Sequence, residues 1–297
     1  MRVVSLLPAA TEIVAALGDL SVLVGISHEC DFPLSVQHLP RVTTTPIDQA
    51  AGGATIDAEV RRLRQTGQPV IAVDAVQLRR LAPDLILTQE LCEVCAVSDG
   101  QVHRLASLLR PAPMVLSLSA RNLEGIWSDV RRVGAALGLE DEAEELVLGL
   151  RTRLERLRRM AQAPPARVLC IEWLEPLYLA GHWVPELVAA AGGTDVGAVP
   201  GGHSVHREWG ELGKLRPDLT LVMLCGFGVD RARTELDALT DPEALGLLRG
   251  VPTWIIDGNS YTSRPGPRVV DGAARIRSAI TSRVAHDVQQ WQPAGVC

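Results

Sequence analysis

The chain has 297 residues, enough for one large domain or for two of ordinary size. Hydrophobic residues make up 47% and charged residues 22% of the sequence, which is typical of a globular protein with a core and excludes a disordered chain. The net charge of −6, with basic residues spread along the sequence, excludes nucleic acid as a partner, and no apolar run reaches the roughly 18–20 residues that cross a bilayer.

The N-terminus leads directly into an apolar run, Val3–Leu7, which is predicted to form the first core strand. A secretory signal would place a charged segment and a longer apolar stretch before the folded domain. We therefore expect a cytoplasmic protein whose cysteines are thiols. A periplasmic or cell-surface location is expected instead if a signal was removed from the true N-terminus.

The first third of the sequence alternates short aliphatic or β-branched runs with helical patterns. Strands separated by helices indicate βαβ units and a mainly parallel sheet. The predicted strands are Val3–Leu7, Val22–Ile26, Val70–Ala72, Leu85–Thr88 and Met114–Leu118. The predicted helices are Ala10–Leu17, Asp74–Leu81 and Gly100–Leu109.

Two consecutive helices are predicted in the middle of the chain, at Asn122–Leu137 and at residues 140–162. Apolar residues recur in the second one at three- and four-residue steps from Ala143 to Ala161. Acidic residues crowd its start and arginines its end, which complements the helix dipole. At 1.5 Å per residue this helix is about 35 Å long, the width of a small domain.

The alternating pattern then begins again. The predicted strands are Val168–Glu172, Leu219–Leu224 and Thr253–Asp257, and the predicted helices are Trp183–Ala191, Pro242–Leu248 and Pro267–Ser282. The two halves share an element, a helix end followed by a Pro-Asp turn and a strand, at Leu81–Leu87 and Leu215–Leu221. We therefore predict an α/β lobe at 1–121, a linker region with the long helix at 122–165, a similar α/β lobe at 166–282, and a frayed tail at 283–297.

Several segments carry a resemblance to a known family. Arg2–Gly18 resembles the opening of class III ABC substrate-binding proteins for cobalamin, haem and ferric siderophores, and the Pro-Asp strands, Ala191–Gly193 and Arg264–Arg268 also match it. The similarity covers residues 1–282 and is greatest to the cobalamin-binding branch. Four segments resemble a subgroup of that branch that often lacks signal peptides: Ser27–Pro33, Leu91–Cys95, Ala180–Trp183 and Leu224–Phe227.

The resemblance implies two lobes with mainly parallel sheets, joined by one long backbone helix, and non-enzymic binding of a small-molecule metal chelate in the cleft between them. Cobalamin or a related corrinoid is the implied ligand, and we expect a monomer. Family members dock to an ABC permease through a glutamate on each lobe. The first position falls here at Val76, and Glu208 and Glu211 lie near the second without matching it, so a permease partner is not implied.

Ligands of open α/β sheets bind beyond the carboxyl ends of the strands. This rule selects the loops that follow the predicted strands, independently of the resemblance. They are Pro8–Thr11, Ser27–Phe32, Thr88–Cys95, Glu172–Glu175, Cys225–Phe227 and Asp257–Tyr261.

Cysteines occur in several of these loops. Cys30, Cys92 and Cys95 lie in the first lobe, and Cys225 lies in the equivalent place on the second. Thiolates with a nearby histidine are the ligands of zinc or of another thiophilic metal. The alternatives are ordinary buried thiols, which is our interpretation of Cys170 within its strand, or a disulfide of Cys92 with Cys95 or Cys30 if the protein is exported.

Ten further residues are candidate ligand-binding residues: Pro8, His28, Glu29, Glu90, Trp173, His182, Trp183, Phe227, Tyr261 and Arg264. Aromatic rings can stack on a planar macrocycle, an imidazole can coordinate its metal, and the Arg264 guanidinium suits an anionic side group. Tyr261 matches an aromatic position of the cobalamin-binding branch. Glu29 stands where that branch has a tyrosine.

Two other functions remain open at this point. One is a metal-ion binding protein that uses Cys30, Cys92 and Cys95, and the other is a cysteine-dependent enzyme. The sequence contains no G-x-S-x-G, P-loop or H-E-x-x-H motif, which disfavours an enzyme of those classes.

Overall fold

The computed structural model describes residues 1–90, 99–161 and 163–292. The chain divides into two compact units. Unit 1 comprises Met1–Ala51, Thr55–Ala120 and Glu124–Leu148, and unit 2 comprises Gly52–Ala54, Arg121–Leu123 and Gly149–Cys297. In the part of the chain that the structure describes, no helix is both long and apolar enough to span a membrane.

The first half of the chain confirms the alternation of strands and helices. Its strands are β1 Val3–Ser5, β2 Leu23–Ile26, β3 Thr43–Thr44, β4 Ala72–Val73, β5 Leu85–Gln89 and β6 Met114–Leu118. Its helices are α1 Pro8–Ala16, α2 Gly53–Gln65, α3 Ala75–Leu81, α4 Asp99–Ser107 and α5 Leu123–Leu137. Short 3-10 turns occupy Leu20–Val22 and Leu34–Val36.

The main sheet of unit 1 has the strand order β2-β1-β5-β6, and neighbouring strands run parallel. Its apolar side chains are buried against the helices, and the core includes Val4 of β1, Ile86 of β5, Leu63 of α2, Leu78 of α3 and Val102 of α4. Covering a parallel sheet with helices explains why its strands are continuous apolar runs.

Local chemistry sets the helix starts of unit 1. Pro8 is the first residue of α1, where a missing N–H and a fixed φ cost nothing. The Asp74 carboxylate accepts hydrogen bonds from the backbone N–H groups of Val76 and Gln77, at 3.0 and 2.9 Å, and so caps α3.

One strand prediction in unit 1 was wrong. Val70–Ala72 was predicted as a strand of the main sheet, but β4 begins at Ala72 and pairs antiparallel with β3 in a separate small sheet. The prediction failed because a short apolar run gives no information about its strand partner.

The long helix α6 spans Glu140–Arg159, so it ends three residues before the predicted limit. Glu140, Asp141 and Glu142 occupy its first turn, and Arg156, Arg158 and Arg159 its last turn, as the charge pattern predicted. The division between the two units falls inside this helix, after Leu148.

The second half of the chain repeats the alternation. Its strands are β7 Ala166–Trp173, β8 Tyr178–Leu179, β9 Gly193–Asp195, β10 Val205–His206, β11 Leu219–Val222, β12 Thr253–Ile256 and β13 Val288–Gln290. Its helices are α7 Val184–Ala191, α8 Trp209–Leu212, α9 Val229–Ala238, α10 Pro242–Gly250, α11 Gly258–Tyr261 and α12 Val269–Ile280, and Gly213–Leu215 is a 3-10 turn.

The main sheet of unit 2 has the order β10-β8-β7-β11-β12-β13, and β9 also pairs with β7. The central strands β7, β11 and β12 run parallel, whereas β8 and β13 are antiparallel to their neighbours. The predicted α/β class with mainly parallel sheets is therefore confirmed.

The predicted frayed tail was wrong for its described part. Residues Val288–Gln290 form β13 on β12, and the Trp291 ring is buried. The Trp291 indole N–H donates to Asp237 Oδ1 at 2.9 Å. The charged and polar residues around this strand concealed it in the sequence.

The repeated Pro-Asp element makes the same contacts in each unit. In unit 1, Asp84 Oδ2 accepts the backbone N–H of Arg2 at 2.7 Å, and Arg2 Nε donates to the Leu81 carbonyl at 2.8 Å. In unit 2, Asp218 Oδ2 accepts the backbone N–H of Arg167 at 2.8 Å, and Arg167 Nη2 donates to the carbonyl of Leu215, the counterpart of Leu81, at 2.6 Å. We call each of these sets an Arg–Asp clasp; it ties the starts of two neighbouring parallel strands together.

Candidate functional site

The carboxyl ends of β2, β1 and β5 are neighbours in the sheet of unit 1, so the loops that follow them share one edge. Half-buried Pro8, half-buried Glu29 and exposed Glu90 follow these strands. The candidate residues of unit 1 therefore lie along one edge of its sheet, as their positions after the strands predicted. Glu90 is the last residue of its loop that the structure describes. Residues 91–95, with Cys92 and Cys95, lie outside the described residues.

His28 is held at this edge by Thr43. The Thr43 hydroxyl oxygen lies 2.6 Å from His28 Nδ1 and accepts the His28 backbone N–H at 2.9 Å. Burial and, secondarily, the positive charge of Arg41 lower the pKa of His28 below its usual value. The imidazole is therefore neutral at pH 7, and its buried Nε2 has no hydrogen-bond partner among the described residues.

Cys30 is buried in unit 1, with 1% of its surface exposed. Its thiol lies 3.1 Å from the Thr11 hydroxyl, and the Cys30 carbonyl accepts a 2.6 Å hydrogen bond from Arg41. Across residues 1–90, 99–161 and 163–292, no cluster of three or more His, Cys, Asp and Glu side chains is arranged to hold a metal ion. The contacts of Cys30 are those of a buried structural thiol. Cys170 is likewise buried, as predicted for a thiol inside a strand.

In unit 2, the carboxyl ends of β7 and β11 bring Trp173 and Phe227 into contact. Their ring centroids are 5.3 Å apart at an interplanar angle of 62°, an edge-to-face arrangement. Phe227 is buried and Trp173 is half-buried, so Trp173 has the more accessible ring surface of the two. The half-buried Cys225 belongs to the same loop and donates its backbone N–H to the Glu172 carbonyl at 3.0 Å.

Tyr261 follows β12, the next strand of the sheet, and ends the short helix α11. The loop is tied to the Phe227 loop, because the Asn259 N–H donates to the Phe227 carbonyl at 3.2 Å. Arg264, predicted to bind an anionic ligand group, is buried, and its Nη2 donates to Asn259 Oδ1 at 2.7 Å. Its observed contact therefore supports this loop, and Tyr261 remains half-buried beside it.

His182 and Trp183 follow β8, which runs antiparallel to β7, so the strand-end rule does not apply to them. Trp183 is 4% exposed, and its indole N–H donates to the carbonyl of Thr262 at 2.8 Å. The prediction that its ring faces a ligand does not fit this burial; Trp183 instead supports the loop that carries Tyr261.

His182 has a second histidine beside it. The rings of His182 and His203 are 5.6 Å apart and nearly perpendicular, and Arg121 Nη1 lies 3.5 Å from His203 Nε2. Burial, followed by His203 and Arg121, lowers the pKa of His182, so this imidazole is also neutral at pH 7.

Several further residues contribute to these edges and were not predicted from the sequence. The Arg231 guanidinium carbon lies 3.6 Å from the centre of the Phe227 ring, a cation–π contact. Asp287 binds Tyr261 from the segment that was assigned to a tail. A signal for Arg231 was available, because it stands four residues after Phe227 in the first turns of α9, a helix that was not predicted. No pattern in the sequence indicated that His203 or Thr43 would lie beside the candidate residues.

Glu12 is an acidic residue of α1. Because α1 begins at Pro8, Glu12 lies in the second turn, and it is 3% exposed. It is thus a buried carboxylate in the core of unit 1, close in sequence to the Thr11 contact with Cys30.

The two positions compared with permease-docking glutamates lie on the surface. Val76 is 75% exposed, while its neighbour Asp74 is committed to capping α3. Glu208 precedes α8 and has 79% of its side chain exposed. An apolar residue, Val76, therefore occupies the first-lobe position that was compared with a docking glutamate.

Solved structures of similar fold include binding proteins of several kinds. A periplasmic heme binding protein from Pseudomonas aeruginosa has a TM-score of 0.73 and 22% identity, covering 99% of each chain. The periplasmic vitamin B12 binding protein of Vibrio cholerae has a TM-score of 0.65 and 18% identity, over 95% of this chain and 96% of that one. An ABC transporter substrate-binding protein from Listeria monocytogenes has a TM-score of 0.67 and 17% identity, over 94% and 97%. At these identities the similarity shows the fold.

Sequence comparison gives a family as well. No curated protein matches the chain in sequence. The sequence model of the periplasmic binding proteins, however, matches residues 3–245, most of the chain. Because that match spans the strand-end loops of both units up to Phe227, the chain belongs to the periplasmic binding protein family.

Proposed function

We propose that this protein binds a small-molecule metal chelate, a corrinoid such as cobalamin or a related tetrapyrrole such as haem, without transforming it. The observation that carries the proposal is the aromatic edge of unit 2, by which we mean Trp173, Phe227 and Tyr261 on three neighbouring strand-end loops. Flat rings bury a large apolar area at low entropic cost, which suits a planar macrocycle. The heme and vitamin B12 binding proteins of the same fold support this ligand class.

The charges of the edge agree with such a ligand. Arg231 lies over the Phe227 ring in the same loop region, and a guanidinium there favours carboxylate or phosphate groups on the rim of a macrocycle. This side chain supports a ligand that carries anionic groups over an unsubstituted apolar one.

The proposal is tested by titrating the purified protein with hydroxocobalamin and with haemin, following tryptophan fluorescence and the visible absorption of the chelate. The sequence has six tryptophans, and Trp173 lies at the proposed contact, so binding is expected to quench emission. We expect saturation at one chelate per chain with a Kd below about 10 μM, a binding free energy near −7 kcal/mol. Absence of saturation with both chelates at ten times that concentration would reject the proposal.

Replacement of Trp173 by alanine is expected to weaken chelate binding about tenfold, because it removes the half-buried ring of the aromatic edge that is accessible to a ligand, a loss of about 1.4 kcal/mol. The measurement is the chelate's visible absorption, since the substitution itself alters tryptophan emission. Leu148→Ala provides the control: Leu148 is 67% exposed on α6, and its truncation is expected to leave the affinity unchanged. Equal affinities of the Trp173→Ala variant and the unmodified protein would contradict the assignment of this ring to the site.

A further inference from the structure

The C-terminal strand β13 is anchored at both ends of its short length. It pairs with β12 through Trp254 with Gln290 and Ile256 with Val288. Beyond the strand, the Trp291 backbone N–H donates to the carbonyl of Thr253 at 2.8 Å, in addition to its indole bond. β13 begins 43 residues after the family match ends at 245, yet its first residue, Val288, pairs with Ile256 at the carboxyl end of β12, the strand that precedes Tyr261.

Asp287 stands immediately before β13 and contacts two side chains. Arg275 of α12 donates to Asp287 Oδ2 from Nε and from Nη2, both at 2.8 Å. The Tyr261 hydroxyl hydrogen-bonds to the same carboxylate. With 16% of its side chain exposed, Asp287 is largely shielded from water, which strengthens both contacts.

The Tyr261 ring is also held by two guanidinium groups. The Arg275 and Arg268 guanidinium carbons lie 4.8 and 5.0 Å from its centre, within the range of cation–π contacts. The backbone of Tyr261 is close to α12 as well, because a Cβ added at Gly272 would lie 2.5 Å from the Tyr261 carbonyl oxygen. The orientation of the ring is therefore set jointly by α12 and by the segment before β13.

We propose that Asp287 is a positioning residue for ligand binding, which fixes the Tyr261 ring in the aromatic edge through the phenol hydroxyl, and that the C-terminal strand is thereby part of the binding site. This inference rests on the proposed binding of a chelate. Asp287 itself does not contact the ligand. It acts by removing the rotational freedom that Tyr261 would otherwise lose on binding.

The inference is tested by a double-mutant cycle of Asp287→Asn and Tyr261→Phe, using whichever of haemin and hydroxocobalamin binds the unmodified protein more tightly. Tyr261→Phe removes the carboxylate–phenol bond, and Asp287→Asn weakens it by replacing the charged acceptor with a neutral amide; each is expected to weaken binding, by up to about fivefold, as immobilising one side chain implies. Because both act on the same bond, Asp287→Asn is expected to have no further effect in the Tyr261→Phe background. Asp271→Asn, which removes the ion pair of α12 with Arg153 and leaves Asp287 in place, is the matched control and is expected to bind normally.

A spectroscopic readout reports the bond without any ligand. The sequence has two tyrosines, so in a Tyr178→Phe background the tyrosinate absorbance on raising the pH belongs to Tyr261 alone. Burial and, after it, the Asp287 carboxylate raise the pKa of Tyr261, whereas the positive charge of Arg275 and a hydrogen bond with Arg268 lower it. Asp287→Asn is expected to shift this titration to lower pH, and Asp287→Glu to restore part of the shift.

Any one of several results overturns the inference. An unchanged chelate affinity of Asp287→Asn, or an equal loss with and without Tyr261→Phe, rejects Asp287 as a positioning residue while the proposed function stands. An unchanged tyrosinate titration does the same. Failure of the unmodified protein to bind either chelate rejects the proposed function and the inference with it, and is seen before any variant is made.

If Asp287→Asn does not fold, Arg275→Lys replaces it, because this substitution breaks the two-point bond to Asp287. Arg275→Lys is expected to weaken chelate binding as well, and normal binding by this variant rejects the inference.

Discussion

Replacement of Gly258 by alanine is expected to lower the free energy of unfolding by about 3 kcal/mol, at the upper end of the usual cost of overpacking. A Cβ on Gly258 would lie 2.2 Å from the Leu224 carbonyl oxygen and 2.7 Å from the Met223 carbonyl carbon. Both are backbone atoms at the end of β11, so no side-chain rotation relieves the contact. Urea denaturation measures the loss, and chelate affinity is expected to fall as well, since α11 carries Tyr261.

A glycine-to-alanine substitution elsewhere in unit 2 is expected to raise the free energy of unfolding instead of lowering it. Gly246 lies inside α10 with open space around its Cα. Gly246→Ala is therefore expected to stabilise the protein by about 0.5–1 kcal/mol through the higher helix propensity of alanine. If Gly258→Ala unfolded at the same urea concentration as the unmodified protein, the close approach of α11 to the end of β11 would be refuted.

The second large effect concerns Asp195, the last residue of β9. Its Oδ1 accepts the N–H groups of Gly197 and Ala198 at 2.8 and 3.1 Å, and its Oδ2 is buried without a hydrogen-bond partner among the residues described. Burial outweighs these bonds and that of the Cys170 thiol, and raises the pKa of Asp195 from 3.8 to about 6. The folded protein therefore holds a proton between about pH 4 and pH 6 that the unfolded chain has released.

The free energy of unfolding contributed by Asp195 must consequently fall as the pH rises through that window, and the loss persists at pH 7. About two pKa units correspond to about 3 kcal/mol. We expect the unfolding free energy of the unmodified protein, relative to that of Asp195→Asn, to decrease by this order between pH 4 and pH 7. Thermal or urea unfolding at a series of pH values gives the difference.

A second variant, Cys170→Ala, tests the contribution of the thiol to the pKa of Asp195. The thiol bond lowers the pKa of Asp195, so its removal is expected to extend the pH-dependent window upward. A constant difference between the unmodified protein and Asp195→Asn across pH 4–7 would show that Asp195 is ionised in the folded state throughout.

Much of the fold was predictable from the sequence because its elements are local. The apolar runs of β1, β5 and β6 and the periodic helix α6 are strong signals, and the Pro-Asp repeat identified equivalent elements in the two units. The elements that were missed depend on distant partners. β13 has only three residues and is stable through its pairing with β12, and β4 pairs with β3 outside the main sheet.

The candidate site was predictable only as far as topology determines it. The strand-end rule brought Trp173 and Phe227 to one edge correctly, because β7 and β11 are parallel neighbours. The strand-end rule does not predict which side chains are buried. Trp183 and Arg264 are buried and hydrogen-bond to the loop that carries Tyr261. Asp287 was missed because its role depends on a side-chain bond between residues far apart in the sequence, for which periodicity gives no signal.

The Arg–Asp clasps have a consequence for how such a protein can change. Each clasp joins the starts of two parallel strands, through Arg2 and Asp84 in one unit and Arg167 and Asp218 in the other. The strand-end loops of the candidate site follow the opposite ends of the same strands. The bonds that join the strand starts and the candidate site thus lie at opposite edges of each sheet, so substitutions in the loops of one edge leave the clasps of the other edge in place.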